Sequence, residues 1–274
     1  LLALVFFQSL VNIAGIILFY PFLNLFTKFL ERRYQGNNEE SHYISKVNAA
    51  DTELAILALE KEVKHFILHS IYFTRSLFDL PGNNRLNAAL KMSSSNTDPL
   101  KEYAFLKQLH GELLGYAIQV QNNTSDGSTT KRLNQLFAAN RNTMYAAKSI
   151  KDAMQDINQL RNSSNDIKYE FYLQSQHKAT DFCDKLISLL IDEHSNSYFD
   201  TLNEMHQGVI KGYSISLEQL YKEKTYLYLG EIDISTLINF NREMHTVYKS
   251  YLFAVKDFLL DNKEAVYFDE LPGF

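Results

Sequence analysis

The sequence is poor in the residues that interrupt helices and in the residue that forms disulfides. Its single cysteine, Cys183, excludes an internal disulfide and a metal site made of clustered cysteines, and it is typical of a reducing compartment. Only four prolines and 10 glycines are present, and no proline occurs between Leu100 and Leu271. Strand-and-turn folds need frequent glycine and proline, whereas long helices exclude both. The sequence therefore predicts an all-α protein.

Neither the charge nor the motifs of the sequence indicate catalysis or nucleic-acid binding. A net charge of −5 and a pI near 5.9 give no basic face for nucleic acid. The sequence also lacks a P-loop, a dinucleotide-binding glycine pattern, a nucleophile elbow and a zinc signature. With 46% apolar and 22% charged residues, the chain can bury a sizeable core. We therefore expect a globular, non-enzymatic protein without a nucleic-acid partner.

The longest apolar run covers residues 1–33, and no charged residue precedes Lys28. A helix of this length rises roughly 40 Å, which exceeds the ~30 Å of bilayer hydrocarbon. We interpret the run as a transmembrane helix. A secretory signal is the first alternative, but its apolar core covers only about 7–15 residues before a cleavage site. A fully buried core helix is the second, and the run is long for one.

Basic residues follow this run directly, at Lys28, Arg32 and Arg33. Positive charge at the end of a span favours the cytoplasmic side of the membrane. We therefore expect the chain to lie in the cell (inner) membrane, in contact with lipid, with everything after the span in the cytoplasm. The sequence begins with Leu1 rather than Met, so we also expect it to be part of a longer protein.

The remainder predicts a linker over residues 34–50, a helical domain over 51–262 and a frayed tail over 263–274. Apolar residues recur every three or four positions in the domain, which is typical of helices in a bundle. Short loops make consecutive helices antiparallel, and six helices then predict two tandem three-helix bundles. The predicted helices cover residues 51–80, 98–121, 129–160, 167–191, 197–229 and 234–261.

The predicted span resembles the last membrane helix of bacterial sodium/phosphate cotransporter family proteins. That helix carries a Phe-x-His-x-x-Phe-Asn-x-x-Gly pattern, followed by an apolar run with Pro-Phe. Gln8 and Val11 stand at the histidine and the second phenylalanine of the pattern. The matching residues are Phe6, Asn12, Gly15, Pro21 and Phe22.

Two later segments resemble the PhoU-like domain that follows this helix in the family. Residues 51–63 (DTELAILALEKEV) resemble its first helix, and residues 144–157 (MYAAKSIKDAMQDI) resemble the core of its third. The resemblance implies the C-terminal part of a sodium-dependent inorganic phosphate symporter, in which a six-helix PhoU-like domain regulates transport. Sodium and phosphate would then bind to the full transporter, in Gln-Ser-Ser-rich repeats upstream of this chain.

Two groups of polar residues are candidate site residues, one within the span and one in the predicted third helix. Gln8, Ser9 and Asn12 are polar residues within the span, where they either border the substrate pathway or make hydrogen bonds between membrane helices. PhoU-like domains hold divalent or iron clusters through acidic pairs four residues apart, and Asp152 and Asp156 have this spacing. Lys148 stands at the family's leading glutamate and opposes a metal, so the alternative is a solvated face of paired charges.

Glu62 and His65 match half of a di-iron carboxylate site, which needs a second Glu-x-x-His and two further inward glutamates. The sequence contains no second copy, so we expect Glu62 and His65 to form a surface pair.

Two other classes of function remain as alternatives. One is a membrane-anchored helical sensory or signalling module not tied to phosphate, although the sequence lacks kinase boxes and long heptad repeats. The other is a di-iron enzyme, which metal analysis would identify. For the transporter interpretation we expect the upstream transporter domain as a partner, together with either a second copy of the chain or a cytoplasmic regulatory protein.

Overall fold

The protein is described here by a computed structural model that covers residues 2–23, 25, 26, 28, 40–91, 98–124, 126–192, 197–221, 229 and 231–272. Throughout these residues the regular secondary structure is helical and no strand is present, which confirms the all-α prediction. Residues 34–39 of the predicted linker and residues 222–228 of the predicted fifth long helix lie outside the described ranges.

Ten α-helices are present in the described residues, together with short 3-10 turns at Tyr20–Phe22 and Ile44–Lys46. In chain order the helices are α1 Leu2–Phe19, α2 Thr52–Leu77, α3 Asn84–Leu90, α4 Pro99–Asn122, α5 Gly127–Asp152, α6 Met154–Arg161, α7 Asp166–Ile191, α8 Tyr198–Leu220, α9 Glu231–Leu259 and α10 Asn262–Asp269. The six long helices predicted after the span correspond to α2, α4, α5, α7, α8 and α9.

The chain divides into two compact units, residues 1–39 and residues 40–274. The first unit contains α1, whose stretch Val5–Phe22 has a mean hydropathy of 1.7 and no buried residue. This stretch is long and apolar enough to cross a membrane. Residues 40–50, predicted as part of the linker, belong to the second unit, where Ile44 and Ala49 are buried.

Most helices of the second unit are preceded by an N-cap residue. Its side chain accepts a hydrogen bond from a backbone N–H of the first turn that has no partner within the helix. Such N-caps stabilise a helix by about 0.5–2 kcal/mol each, and they explain why the helices begin at these positions. The capping residues are Asp51 for α2, Asn83 for α3, Asp98 for α4, Asp126 for α5, Asn165 for α7, Ser197 for α8 and Asp261 for α10.

Three short helices, α3, α6 and α10, were not predicted as separate elements. The predicted third long helix is divided at Ala153 into α5 and α6, and α3 lies within the predicted break at residues 81–98. The prediction of a frayed tail is wrong for residues 263–269, because they lie in α10, which buries Ala265 and Phe268. The Lys256 ammonium of α9 also donates a hydrogen bond to the Asp269 carboxylate, at 2.7 Å, and this contact attaches α10 to the bundle.

Helix α2 lies at the centre of the second unit. It packs against α4 and α5, which also contact each other and complete the first three-helix bundle, and it contacts α3, α7 and α9 as well. Every residue from His65 to Ile71 is buried. A helix surrounded on all sides is rich in buried residues whatever their polarity, and α2 carries several polar ones.

The second three long helices share one continuous core with the first three. Helix α9 packs along α5 and α8 and contacts α7, and α7 also packs against α2, α3 and α6. The Arg132 guanidinium near the start of α5 donates to the Phe258 carbonyl near the end of α9, at 3.0 Å, so these two helices run antiparallel. Helix α9 therefore joins the two halves of the domain.

Tyr251 links α9 to the central helix through a buried group of three hydroxyls. Its oxygen lies 2.7 Å from Ser70 Oγ and 2.8 Å from Thr74 Oγ1, and all three residues are buried. Burial raises the pKa of Tyr251 well above its usual value, so the phenol stays neutral and available as a donor.

We expect Tyr251→Phe to lower the free energy of unfolding by about 1–2 kcal/mol, because Ser70 and Thr74 lose a buried partner. Tyr267→Phe is the matched control, since Tyr267 is exposed and should change stability by less than about 0.5 kcal/mol. Urea denaturation of the detergent-solubilised chain, followed by circular dichroism, measures both. Equal effects of the two substitutions would show that the hydroxyl group contributes nothing.

Candidate functional site

Five ionisable side chains from three segments meet on one face of α2. Glu62, His65 and His69 are spaced three and four residues apart, which places them along one stripe of that helix. Glu102 comes from the first turn of α4. His42 comes from residues 40–47, which we name the lead-in segment because they precede α2.

Glu62 is fully buried and holds the lead-in segment against α2. Its Oε2 accepts hydrogen bonds from the backbone N–H groups of Tyr43, at 2.6 Å, and Ile44, at 3.2 Å. Its Oε1 lies 3.2 Å from Nδ1 of His65. Burial alone would raise the pKa of Glu62, but the hydrogen bonds from His65, Tyr43 and Ile44 outweigh it and hold that pKa below its usual value.

The three histidine rings are stacked edge to face along this stripe. The His65 ring lies between those of His42 and His69, with centroid distances of 4.7 Å and 4.6 Å. Nδ1 of His69 lies 3.1 Å from Oε1 of Glu102. Burial lowers the pKa of His69, and the hydrogen bond with Glu102 only partly offsets this, so the neutral imidazole is favoured.

A second carboxylate, Glu112 of α4, positions the other end of the lead-in segment. It accepts hydrogen bonds from the backbone N–H groups of Glu40, at 3.2 Å, and Ser41, at 3.0 Å. The Tyr116 hydroxyl donates to the Val47 carbonyl, at 3.1 Å. The backbone on both sides of His42 is therefore attached to α2 and α4, while the His42 side chain stays exposed.

The cluster contains three side chains that can converge on one metal ion. One ligand atom each from His42, Glu62 and His65 lies within 4.8 Å of the others. Imidazole nitrogen and carboxylate oxygen are the usual ligands of catalytic zinc and of non-haem iron.

The expectation that Glu62 and His65 form a surface pair is wrong. Glu62 has no exposed surface, and only 8% of His65 is exposed. The cause is the central position of α2, which buries polar positions as well as the apolar seam. The sequence reasoning also missed His42, His69 and Glu102. The four-residue spacing of His65 and His69 is a signal in the sequence that they share one helix face. Glu102 gives no such signal, because it lies 33 residues after His69 and reaches the cluster only through tertiary packing.

Asp152 and Asp156 are placed on different helices. Asp152 ends α5, is exposed and lies 3.2 Å from the Lys151 ammonium, whereas Asp156 lies in the first turn of α6. Partial burial raises the pKa of Asp156, and the nearby Glu243 of α9 adds to that shift. The contact with Lys151 agrees with the solvated-face alternative, and metal binding by this pair stays a prediction.

Gln8, Ser9 and Asn12 lie on α1, with exposed side chains within the first unit. Their separations of three and four residues place Asn12 on the same side of the helix as the other two. Their role along a substrate pathway stays a prediction.

A separate cavity of about 220 Å³ lies between α7, α8 and α9. Its lining combines apolar side chains such as Phe182 and Met205 with charged residues of both signs, namely Lys178, Lys185, Asp181 and Glu204. Lys178 donates to Ser216 Oγ at 2.8 Å, and burial lowers its pKa. Gly208 and Gly212 of α8 border the cavity without filling it. The cavity suits a small molecule with an apolar body and polar groups.

No protein-family model, curated protein or solved structure matches this chain. The described residues define the protein as an all-α chain with one helix able to cross a membrane and a separate helical domain with a buried histidine–glutamate cluster.

Proposed function

We propose that this chain is the membrane-anchored, non-enzymatic regulatory part of a sodium/phosphate cotransporter. In this proposal α1 is the last transmembrane helix of the transporter, and residues 40–274 are a cytoplasmic PhoU-like domain that regulates phosphate uptake. The observation that carries the proposal is the presence, in one chain, of an exposed apolar helix and an independent helical unit.

The surface of α1 supports the anchoring role. Large apolar side chains cover it, and Phe6 and Ile17 are each 69% exposed. Contiguous apolar surface of this kind is unfavourable in water and mostly marks contact with lipid or another protein. The basic residues Lys28, Arg32 and Arg33 after the helix favour a cytoplasmic exit.

Sequence order supports the link to phosphate transport. The motif in α1 is followed by segments that resemble a PhoU-like domain, in the order that the family shows. The six long helices of the second unit are the number that this resemblance implies. The cavity between α7, α8 and α9 offers a place where a small effector could bind and alter the domain.

We expect the chain to sediment with membranes and to resist extraction with alkali. Ile13→Asp combined with Ile17→Asp should release it, because each aspartate at the centre of a span costs about 2.5–3.5 kcal/mol. Leu114→Asp combined with Ile118→Asp is the matched control. Leu114 and Ile118 are exposed on α4, outside the predicted span, so this variant should still sediment with membranes. Fractionation and immunoblotting measure the distribution. If the chain with both aspartates in α1 still sediments with membranes, anchoring by α1 is contradicted.

We expect deletion of residues 41–274 from the full transporter to change the rate of phosphate uptake or its repression by phosphate. Uptake of labelled phosphate, normalised to the amount of transporter in the membrane, measures the effect. Unchanged flux and unchanged repression would exclude the transport role. If membrane anchoring is intact in that case, the membrane-anchored signalling module becomes the better interpretation.

A further inference from the structure

We infer that His42, Glu62 and His65 bind one divalent transition-metal ion of the Zn²⁺ type. This site is independent of the proposed role in phosphate transport. It lies on α2 and the lead-in segment, whereas the acidic pair Asp152 and Asp156 belongs to α5 and α6.

The first support is the distance between ligand atoms. Zinc lies about 2.0–2.1 Å from nitrogen and about 2.0–2.2 Å from carboxylate oxygen, so two tetrahedral ligands are roughly 3.3–3.4 Å apart. Glu62 Oε1 and His65 Nδ1 are already 3.2 Å apart. All three ligand atoms lie within 4.8 Å of one another, so a side-chain adjustment of at most roughly 1.5 Å brings them to the separations of a tetrahedral site.

The second support is that two of the three ligands are held in place inside the protein, whereas the third lies at the surface. Glu62 and His65 are buried on a central helix, and the backbone N–H groups of Tyr43 and Ile44 hold Glu62 Oε2. Oε1 is thereby aimed at the histidines, in the manner of the outer hydrogen bonds that orient metal ligands. His42 is exposed and its ring lies 4.7 Å from that of His65, so it provides both the third ligand and a path from solvent.

The third support is the chemistry of the donor set. Two imidazoles and one carboxylate suit Zn²⁺ and Fe²⁺, whereas Mg²⁺ and Ca²⁺ prefer oxygen ligands alone. Three protein ligands leave one position for water. Since His42 and Glu62 come from different segments, a bound ion would also fasten the lead-in segment to α2.

The test is zinc binding by the full chain in detergent, after removal of metal with a chelator. We expect one equivalent of Zn²⁺ per chain by equilibrium dialysis and metal analysis. His42→Ala removes an exposed side chain and should weaken binding at least about tenfold, a loss that even outer-shell partners of a metal cause. His177→Ala is the matched control, because His177 forms an exposed pair with Asp181, at 3.3 Å.

Two further measurements make the result decisive. The Co²⁺-loaded chain should show the visible absorption of a low-coordinate site with imidazole ligands, and His42→Ala should reduce that absorption. Asp152→Asn combined with Asp156→Asn should leave zinc binding unchanged. Absence of stoichiometric zinc, equal affinity in His42→Ala and the unaltered chain, or loss of binding in the double asparagine variant would each overturn the site.

Discussion

The need to pair buried polar groups on the central helix organises the second unit. Helix α2 is enclosed by its neighbours, yet it carries a carboxylate, histidines, hydroxyls and a guanidinium into the core. Buried polar groups without partners cost about 1–3 kcal/mol each or more, so each constrains what packs beside it. The partners come from different elements: the lead-in segment for Glu62, α4 for His69, α9 for Ser70 and α7, through Asp184 at 2.7 Å, for Arg75.

The histidine–glutamate cluster follows from the same constraint. A fully buried Glu62 carboxylate needs partners that donate hydrogen bonds or carry positive charge. Backbone N–H groups and a histidine supply the hydrogen bonds, and in our inference a metal ion binds to the carboxylate as well. The lead-in segment is thereby fixed to the bundle at the point where the chain enters the second unit. Helix α1 obeys the opposite rule, because its surface is apolar and none of its residues from Val5 to Phe22 is buried.

The sequence predicted the helical class and most helix positions, because both depend on local signals. Scarce proline and glycine and capping residues such as Asp98 act within a few residues. The break at Ala153 has no proline or glycine to mark it, and α10 depends on burial of Phe268 by distant residues. The sequence does not reveal the cluster, because polar residues on an amphipathic helix usually face solvent. That tendency does not hold for a central helix, and the pairing of His69 with Glu102 depends on tertiary packing.

Hydrogen exchange of the full chain in detergent, followed by mass spectrometry of its peptides, tests most directly whether α2 is the centre of the domain. Amides that open only when the whole domain unfolds exchange slowest. We expect the slowest exchange in peptides that cover residues 62–75, with faster exchange in α8 and α10. Exchange in residues 62–75 as fast as in α10 would contradict it, because the buried polar contacts of α2 would then not hold the surrounding helices together.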